Sequence, residues 1–260
     1  MLAPFAHHTL VLAPFAHHNG AMNRYDKAGP TSFALGTQAT FYLLESASEE
    51  ARKVYISPKQ NRDETYERLV SLCKKKRVPV IENNERMFRD LSGKDNVMVI
   101  GEFEKAERAL NPEANHVLLV NPSNAGNLGT ILRSLVGFGL SDIALITPCV
   151  DPFDPKVVRA SMGALFHLRL RRYPSFDAYA ADAGKRSYYP FMLQAQDFLP
   201  EAKRESPYTL IFGNEATGLP ESFLGIGHPL KIPQTSLIDS LNLDNAVAIA
   251  LYEFQKETMR

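Results

Sequence analysis

Cysteine is scarce: Cys73 and Cys149 are the two in 260 residues. So few exclude a disulfide framework and a cysteine-built zinc site. An excess of either charge is missing too, with 29 Lys and Arg against 29 Asp and Glu. A strongly basic chain would have signalled nucleic acid through phosphate neutralisation and counterion release. Here any such contact must come from local patches, for which Lys74-Lys75-Lys76-Arg77 and Arg169 with Arg171-Arg172 are candidates. Each is equally readable as solvated surface. Long apolar runs are absent. Val117–Val120 and Ala246–Leu251 fall far short of the roughly 18 residues that cross a bilayer. The start of the chain lacks the basic region of a secretory signal. These absences lead to the expectation of a cytoplasmic protein with no membrane contact.

What is present is the ordinary mixture of a soluble globular chain, 45% hydrophobic and 22% charged, which excludes a disordered, fibrous or coiled-coil protein. The length suits one large domain or two modest ones. Leu2-Ala3-Pro4-Phe5-Ala6-His7-His8 recurs as Leu12-Ala13-Pro14-Phe15-Ala16-His17-His18. The histidine pairs lack supporting ligands and helical i,i+4 spacing, so no metal is expected. Residues 1–30 read as a disordered, duplicated start segment without function.

From Thr31 the pattern becomes regular. A helix is expected after Gly36-Thr37, strands at Val54–Ile56, Val78–Ile81 and Val97–Ile100, and a helix over Glu64–Lys76. That alternation predicts a small α/β domain over residues 31–110. A second α/β series occupies 111–260. It has strands at Val117–Val120 and Asp142–Thr147, and a helix with the stripe Leu128, Ile131, Leu132, Leu135 and Val136, stopped by Gly137 and Gly139. A Pro-rich connection follows through Pro148, Pro152 and Pro155, then strands at Phe191–Leu193 and Tyr208–Phe212 and a helix from about Leu241.

Three motifs carry the chemistry. Asn121-Pro122-Ser123-Asn124-Ala125-Gly126-Asn127-Leu128-Gly129-Thr130-Ile131-Leu132-Arg133 is a polar loop opening a helix, the kind that brings backbone N–H groups to a ligand. It lacks the G-x-G-x-x-G spacing of a dinucleotide site, and Asp142 begins the next strand instead of ending it, which disfavours a nicotinamide oxidoreductase. Arg133 lies off the apolar stripe and is free to reach over the loop. The second motif, Leu210–Pro220, runs a strand into Gly213-Asn214-Glu215 and a Gly218-Leu219-Pro220 turn. In the third, Ile232–Ala246, Ser240 is placed as an N-cap for the last helix, while Asn242 sits where propensity disfavours it and needs a polar partner.

In this order the three motifs resemble the SpoU/TrmH branch of the SPOUT superfamily, S-adenosylmethionine-dependent RNA ribose 2′-O-methyltransferases. That branch reads approximately N-x-G-N-x-G-x-x-x-R, L-x-x-G-N-E-x-x-G-L and I-P-M-x-G-x-x-x-S-L-N, and the match covers about Val117–Phe254. The preceding domain is similar to the ribosomal-protein-like domain that binds RNA in such enzymes. The resemblance implies a parallel sheet with a deep trefoil knot, an exception to the no-knot rule, and a homodimer in which one subunit's arginine serves the other's site. It further implies catalytic roles for Asn127, Arg133, Glu215, Ser240 and Asn242, with Asn127 and Arg133 on the ribose and its phosphate. Gly213, Asn214, Gly218, Ile232 and Leu241 would hold S-adenosylmethionine. Ribosomal RNA is the expected substrate because of the fused domain. Transfer RNA, or RNA binding without catalysis, are the alternatives.

Two residues depart from the pattern: Gln234 replaces methionine and Ser236 replaces glycine. A positive φ at Ser236 would cost about 1 kcal/mol. Methylating a 2′-OH needs positioning and charge stabilisation. Since a guanidinium stays protonated, Arg133 is expected to fix phosphate and stabilise developing negative charge, with a substrate phosphate oxygen taking the proton.

Overall fold

A computed structural model of the chain describes residues 25–92 and 96–259; the duplicated segment lies outside the described residues. The N-terminal unit runs β1 (Thr31–Leu35), α1 (Thr37–Ser46), β2 (Ala51–Ile56), α2 (Glu64–Lys76), β3 (Val80–Glu82), α3 (Glu85–Ser92) and β4 (Val99–Glu104). Its sheet has the order β1-β4-β2-β3, with β4 antiparallel to β1 and β2, and β3 parallel to β2. Helix α2 has the bounds expected of it. The Asp63 side chain caps it by accepting from the Tyr66 N–H at 3.0 Å, Leu69 and Cys73 are buried, and Arg77 closes it at φ 58°. Lys74–Lys76 fill its last turn, where the helix dipole favours cations. Strand β4 starts later than expected and runs on through Gly101, where a Cβ would stand 2.8 Å from the Leu43 side chain; the glycine lets α1 pack on the strand.

The C-terminal unit comprises β5 (His116–Val120), α4 (Ala125–Gly137), β6 (Asp142–Ile146), α5 (Pro155–Ala160), β7 (Arg169–Tyr173), α6 (Phe176–Ala183), β8 (Ser187–Pro190), β9 (Asp197–Phe198), β10 (Tyr208–Phe212), β11 (Leu230–Lys231) and α7 (Leu243–Gln255). Its main sheet is entirely parallel, in the order β7-β6-β5-β10-β8. The central strands β5, β6 and β10 are buried from end to end, as strands covered on both faces must be. Their polar starting residues are satisfied. His116 Nε2 lies 2.8 Å from the Asn111 carbonyl and so donates to it, leaving Nδ1 to accept from the Tyr179 hydroxyl at 2.9 Å. Burial pulls its pKa down to about 4, keeping it neutral. Asp142 accepts from the Asn111 N–H, and Arg186 donates to the carbonyls of Pro112 and Ala114. The connector between the two sheets is thereby fastened.

Three expectations for this unit are corrected. Arg169, Arg171 and Arg172 are not a free basic patch. They belong to β7 and pair with Asp142, Asp182 and Glu107. The Pro-rich connection contains α5, begun by the Asp154 cap and Pro155 at its first position. The strand placed at Phe191–Leu193 is β8, ending at Pro190; Pro is tolerated there because β8 is a sheet edge.

The two units share one apolar core. Ala34, Ala39, Leu43 and Phe103 join residues of the C-terminal unit, and Phe103 meets Phe166 edge to face at 4.9 Å. A Cβ on Gly163 would stand 2.8 Å from Ala39 Cα, and Arg108 pairs with Glu50 at 2.5 Å. No described helix is long and apolar enough to cross a membrane.

Candidate active site

The loops leaving the C-terminal ends of β5, β10 and β8 converge, as ligand-binding loops of open parallel sheets do. The loop after β10 is tight. Asn214 N–H donates to the Gly218 carbonyl at 3.2 Å, and Gly218 N–H returns to Asn214 at 2.9 Å. A Cβ on Gly213 would stand 2.0 Å from the Gly218 carbonyl carbon, and Gly218 has φ +68°, so both positions demand glycine. Asn214 Oδ1 accepts from the Ala216 and Thr217 N–H groups, while its Nδ2 donates to the Asn121 carbonyl at 2.8 Å. That last bond ties the second motif to the first.

Glu215 makes the stronger tie. Its carboxylate accepts from Ser123 N–H at 3.0 Å, Ser123 Oγ at 2.8 Å and Asn124 N–H at 3.0 Å, with Asn127 Nδ2 at 3.4 Å. Burial pushes this carboxyl up, but hydrogen bonds from its own N–H and from Ser123 and Asn124 outweigh it and hold it below the usual carboxylate range. Asn124 caps α4 by accepting from Gly126 and Asn127 N–H. The positive end of α4, which the sequence offered to a ligand, is thus occupied by the chain's own Glu215 and Asn124. Gly129 serves packing: a Cβ there would stand 2.4 Å from Ala160 Cβ.

A cavity of about 320 Å³ opens between these loops and the third motif. Gly213, Asn214, Glu215, Gly218, Ile232, Ser240 and Leu241 line it as the sequence expected. Asn127 connects to it through Glu215. Arg133 and Asn242 are not in its wall; Arg133 is exposed and has no hydrogen bond or ion pair among the described residues. Sequence reasoning missed the wall after β8, Phe191–Gln194, and the stacking of Phe191 on Phe212 at 4.5 Å. Phe191 read as strand, so nothing marked it as a wall residue. The helix cap also moves. Asn242, not Ser240, caps α7, accepting from Leu243 N–H at 3.2 Å, which explains an asparagine there. Ser236 is not among the positive-φ residues, so its expected strain is absent. Gln234 lines the cavity and donates to the Asp239 carbonyl at 3.3 Å.

The cavity is of the size class of small-molecule sites. Its mixed apolar walls and the carboxylates of Glu215 and Asp239 suit a cationic nucleoside such as S-adenosylmethionine. Among the described residues no group of three or more His, Cys, Asp or Glu is placed to hold a metal.

Comparison with known proteins bears on this geometry. Residues 114–252 match the model of the SpoU rRNA methylase family. Residues 33–109 match that of the RNA 2′-O ribose methyltransferase substrate-binding domain. A Synechocystis protein described as an "uncharacterized tRNA/rRNA methyltransferase" is 33% identical over 144 residues, 54% of this chain and 53% of that one. The 23S rRNA (uridine(2479)-2′-O)-methyltransferase of Streptomyces viridochromogenes is 31% identical over 145 residues, covering 53% and 50%. The chain spans about half the length of these curated relatives. The crystal structure of an AdoMet-bound rRNA methyltransferase from Sinorhizobium meliloti superposes with TM-score 0.74 at 26% identity, covering 88% of each chain.

Proposed function

The chain belongs to the SpoU rRNA methylase family, and from that premise we propose that it transfers a methyl group from S-adenosylmethionine to a ribose 2′-OH of RNA. The observation that carries this reading is the cavity. Its wall brings together the second and third motifs, and Glu215 ties the first motif to it. Ribosomal RNA is the proposed substrate, because residues 33–109 match a substrate-binding domain of RNA 2′-O methyltransferases.

In this reading S-adenosylmethionine supplies a methyl group activated on a sulfonium. Gly213, Asn214, Gly218, Ile232 and Leu241 hold it, largely by backbone. Glu215, kept ionised by its donors, fixes the first-motif loop and Asn127. Ser240 stands in the same wall to orient substrate. Arg133 grips an RNA phosphate and stabilises negative charge on the 2′-oxygen as a phosphate oxygen takes its proton. Arg133 lies outside the cavity wall of its own chain, which suits a homodimer in which it serves the partner's site; the exposed Ile249 and Tyr252 of α7 offer apolar surface for that contact.

Tritium transfer from labelled S-adenosylmethionine into rRNA tests the activity, and the cofactor should raise the melting temperature by mass action. No transfer into rRNA or tRNA, despite cofactor binding, would reduce the protein to an RNA-binding relative.

A further inference from the structure

Among the described residues, three arginine side chains have neither a hydrogen bond nor an ion pair: Arg77, Arg133 and Arg159. Two of them border one groove. Helix α5 packs on α4 where Gly129 meets Ala160 and the backbone of Val157 and Ser161. Arg133 follows Gly129 by four residues, about 40° around the helix, and therefore projects along the α5 side of α4 toward solvent. On α5, Val157, Ala160 and Ser161 face α4, which turns Lys156 and Arg159 to the solvent side of the same groove. Lys156 is exposed and Arg159 half-buried.

Helix electrostatics do not account for both. Arg159 is in the last turn of α5, where a cation is favoured. Lys156 is in the first turn, where it is disfavoured. Of the nearby acids, Asp154 spends Oδ1 on the Lys156 backbone N–H, and Asp151 is buried against Tyr25 and Lys105. Just past α5, Met162 has φ 54° and is 47% exposed. Ser161 Oγ, which donates to the Val158 carbonyl and accepts from Gly163 N–H, helps lock this turn, as does the contact of Gly163 with Ala39. A bulky residue held at positive φ, presenting an apolar side chain to solvent, is strain that the surroundings impose.

We propose that the α4–α5 groove, with Arg133 on one bank and Lys156, Arg159 and Met162 on the other, is a track for a single RNA strand leading to the reacting ribose. The cations meet successive phosphates and Met162 offers an apolar platform to a base, the combination by which proteins follow single strands. The groove also adjoins the seam between the two units, so a strand in it passes from the N-terminal unit to the cavity. This inference rests on the methyltransferase reading.

The test is the full-length double variant K156A/R159A, with K156E alone as a second variant at an exposed, unpaired position. A labelled oligouridylate of about 20 nucleotides is the probe. Two lost single-strand phosphate contacts should lower the log–log salt slope by about 1.4 and weaken binding about 25-fold at 0.1 M salt. Met162→Ala should weaken binding without changing the slope. Affinity for S-adenosylmethionine should not change in any variant. An unchanged affinity and slope in both charge variants, or a parent protein that does not bind the probe, overturns the track. Failure of the parent to bind S-adenosylmethionine overturns the methyltransferase reading instead, and the two outcomes are read in separate measurements.

Discussion

The cavity has two walls built on opposite terms. In the first, Asn121–Asn127 and Gly213–Gly218 bond to one another through Asn214, Glu215, Ser123 and Asn124, with glycine wherever backbones touch. In the second, Ile232–Asn242, the side chains contribute only the Gln234 bond to the Asp239 carbonyl and the Asn242 cap. That wall leaves Leu237 89% and Ile238 51% exposed. The first wall is shaped by the fold itself. The second keeps apolar surface in water that a ligand or partner can bury, which is where binding free energy is gained.

The largest expected effect lies outside both walls. Arg133→Ala should leave stability within about 0.5 kcal/mol, because the side chain is exposed and touches nothing. Methyl transfer should fall by two to three orders of magnitude, on the scale of about 3–4 kcal/mol for a preorganised donor. Arg133→Lys should rescue poorly, since an ammonium lacks the two-pronged fit to phosphate. Near-normal turnover in the alanine variant would return Arg133 to ordinary surface.

Gly213→Ala attacks the rigid wall directly. With a Cβ 2.0 Å from the Gly218 carbonyl carbon, the loop must open, at a cost of about 1–3 kcal/mol, and calorimetry should show cofactor binding lost with it. A variant of parental stability would mean the first wall is as pliant as the second.

Glu215→Gln should cost about 1 kcal/mol, a charge-assisted bond discounted for partial exposure. The sign of its pH dependence follows from the lowered pKa. The folded carboxyl binds its proton less readily than the unfolded one, so its contribution is complete above the unfolded carboxylate pKa. It is lost as pH falls through the lower folded value. Urea midpoints of parent and variant should therefore converge in acid, and a gap that persists there would mean the charge is not what holds the loops.

How much was legible in the sequence follows the same division. Helix α2 could be read because cap, apolar stripe and terminal lysines agree locally. The motif glycines could be read because a glycine beside Asn-Glu has few other uses. Strand β7 could not: its arginines look like a basic patch until Asp142, Asp182 and Glu107 arrive from distant segments. The cap of α7 was misplaced because Ser240 and Asn242 are both good caps, and only the chain's path into α7 decides between them. Helix α5 did have a local signal, Asp154 before Pro155, hidden among prolines that suggested a loop.

The smallest effect tests the open wall. The family pattern has glycine where this chain has Ser236, and the sign of Ser236→Gly reports whether the wall is strained. A serine forced to positive φ would be relieved by glycine, raising stability by about 1 kcal/mol. Ser236 has no positive φ and is exposed, so no strain is there to relieve. Glycine instead adds freedom to the unfolded chain and should lower stability by up to about 0.5 kcal/mol. Thermal melts without cofactor give the sign. Cofactor affinity, measured separately, should fall slightly if Ile232–Asn242 is ordered on binding, because a more flexible wall loses more entropy when it closes. A rise in melting temperature would show that the open wall carries strain after all.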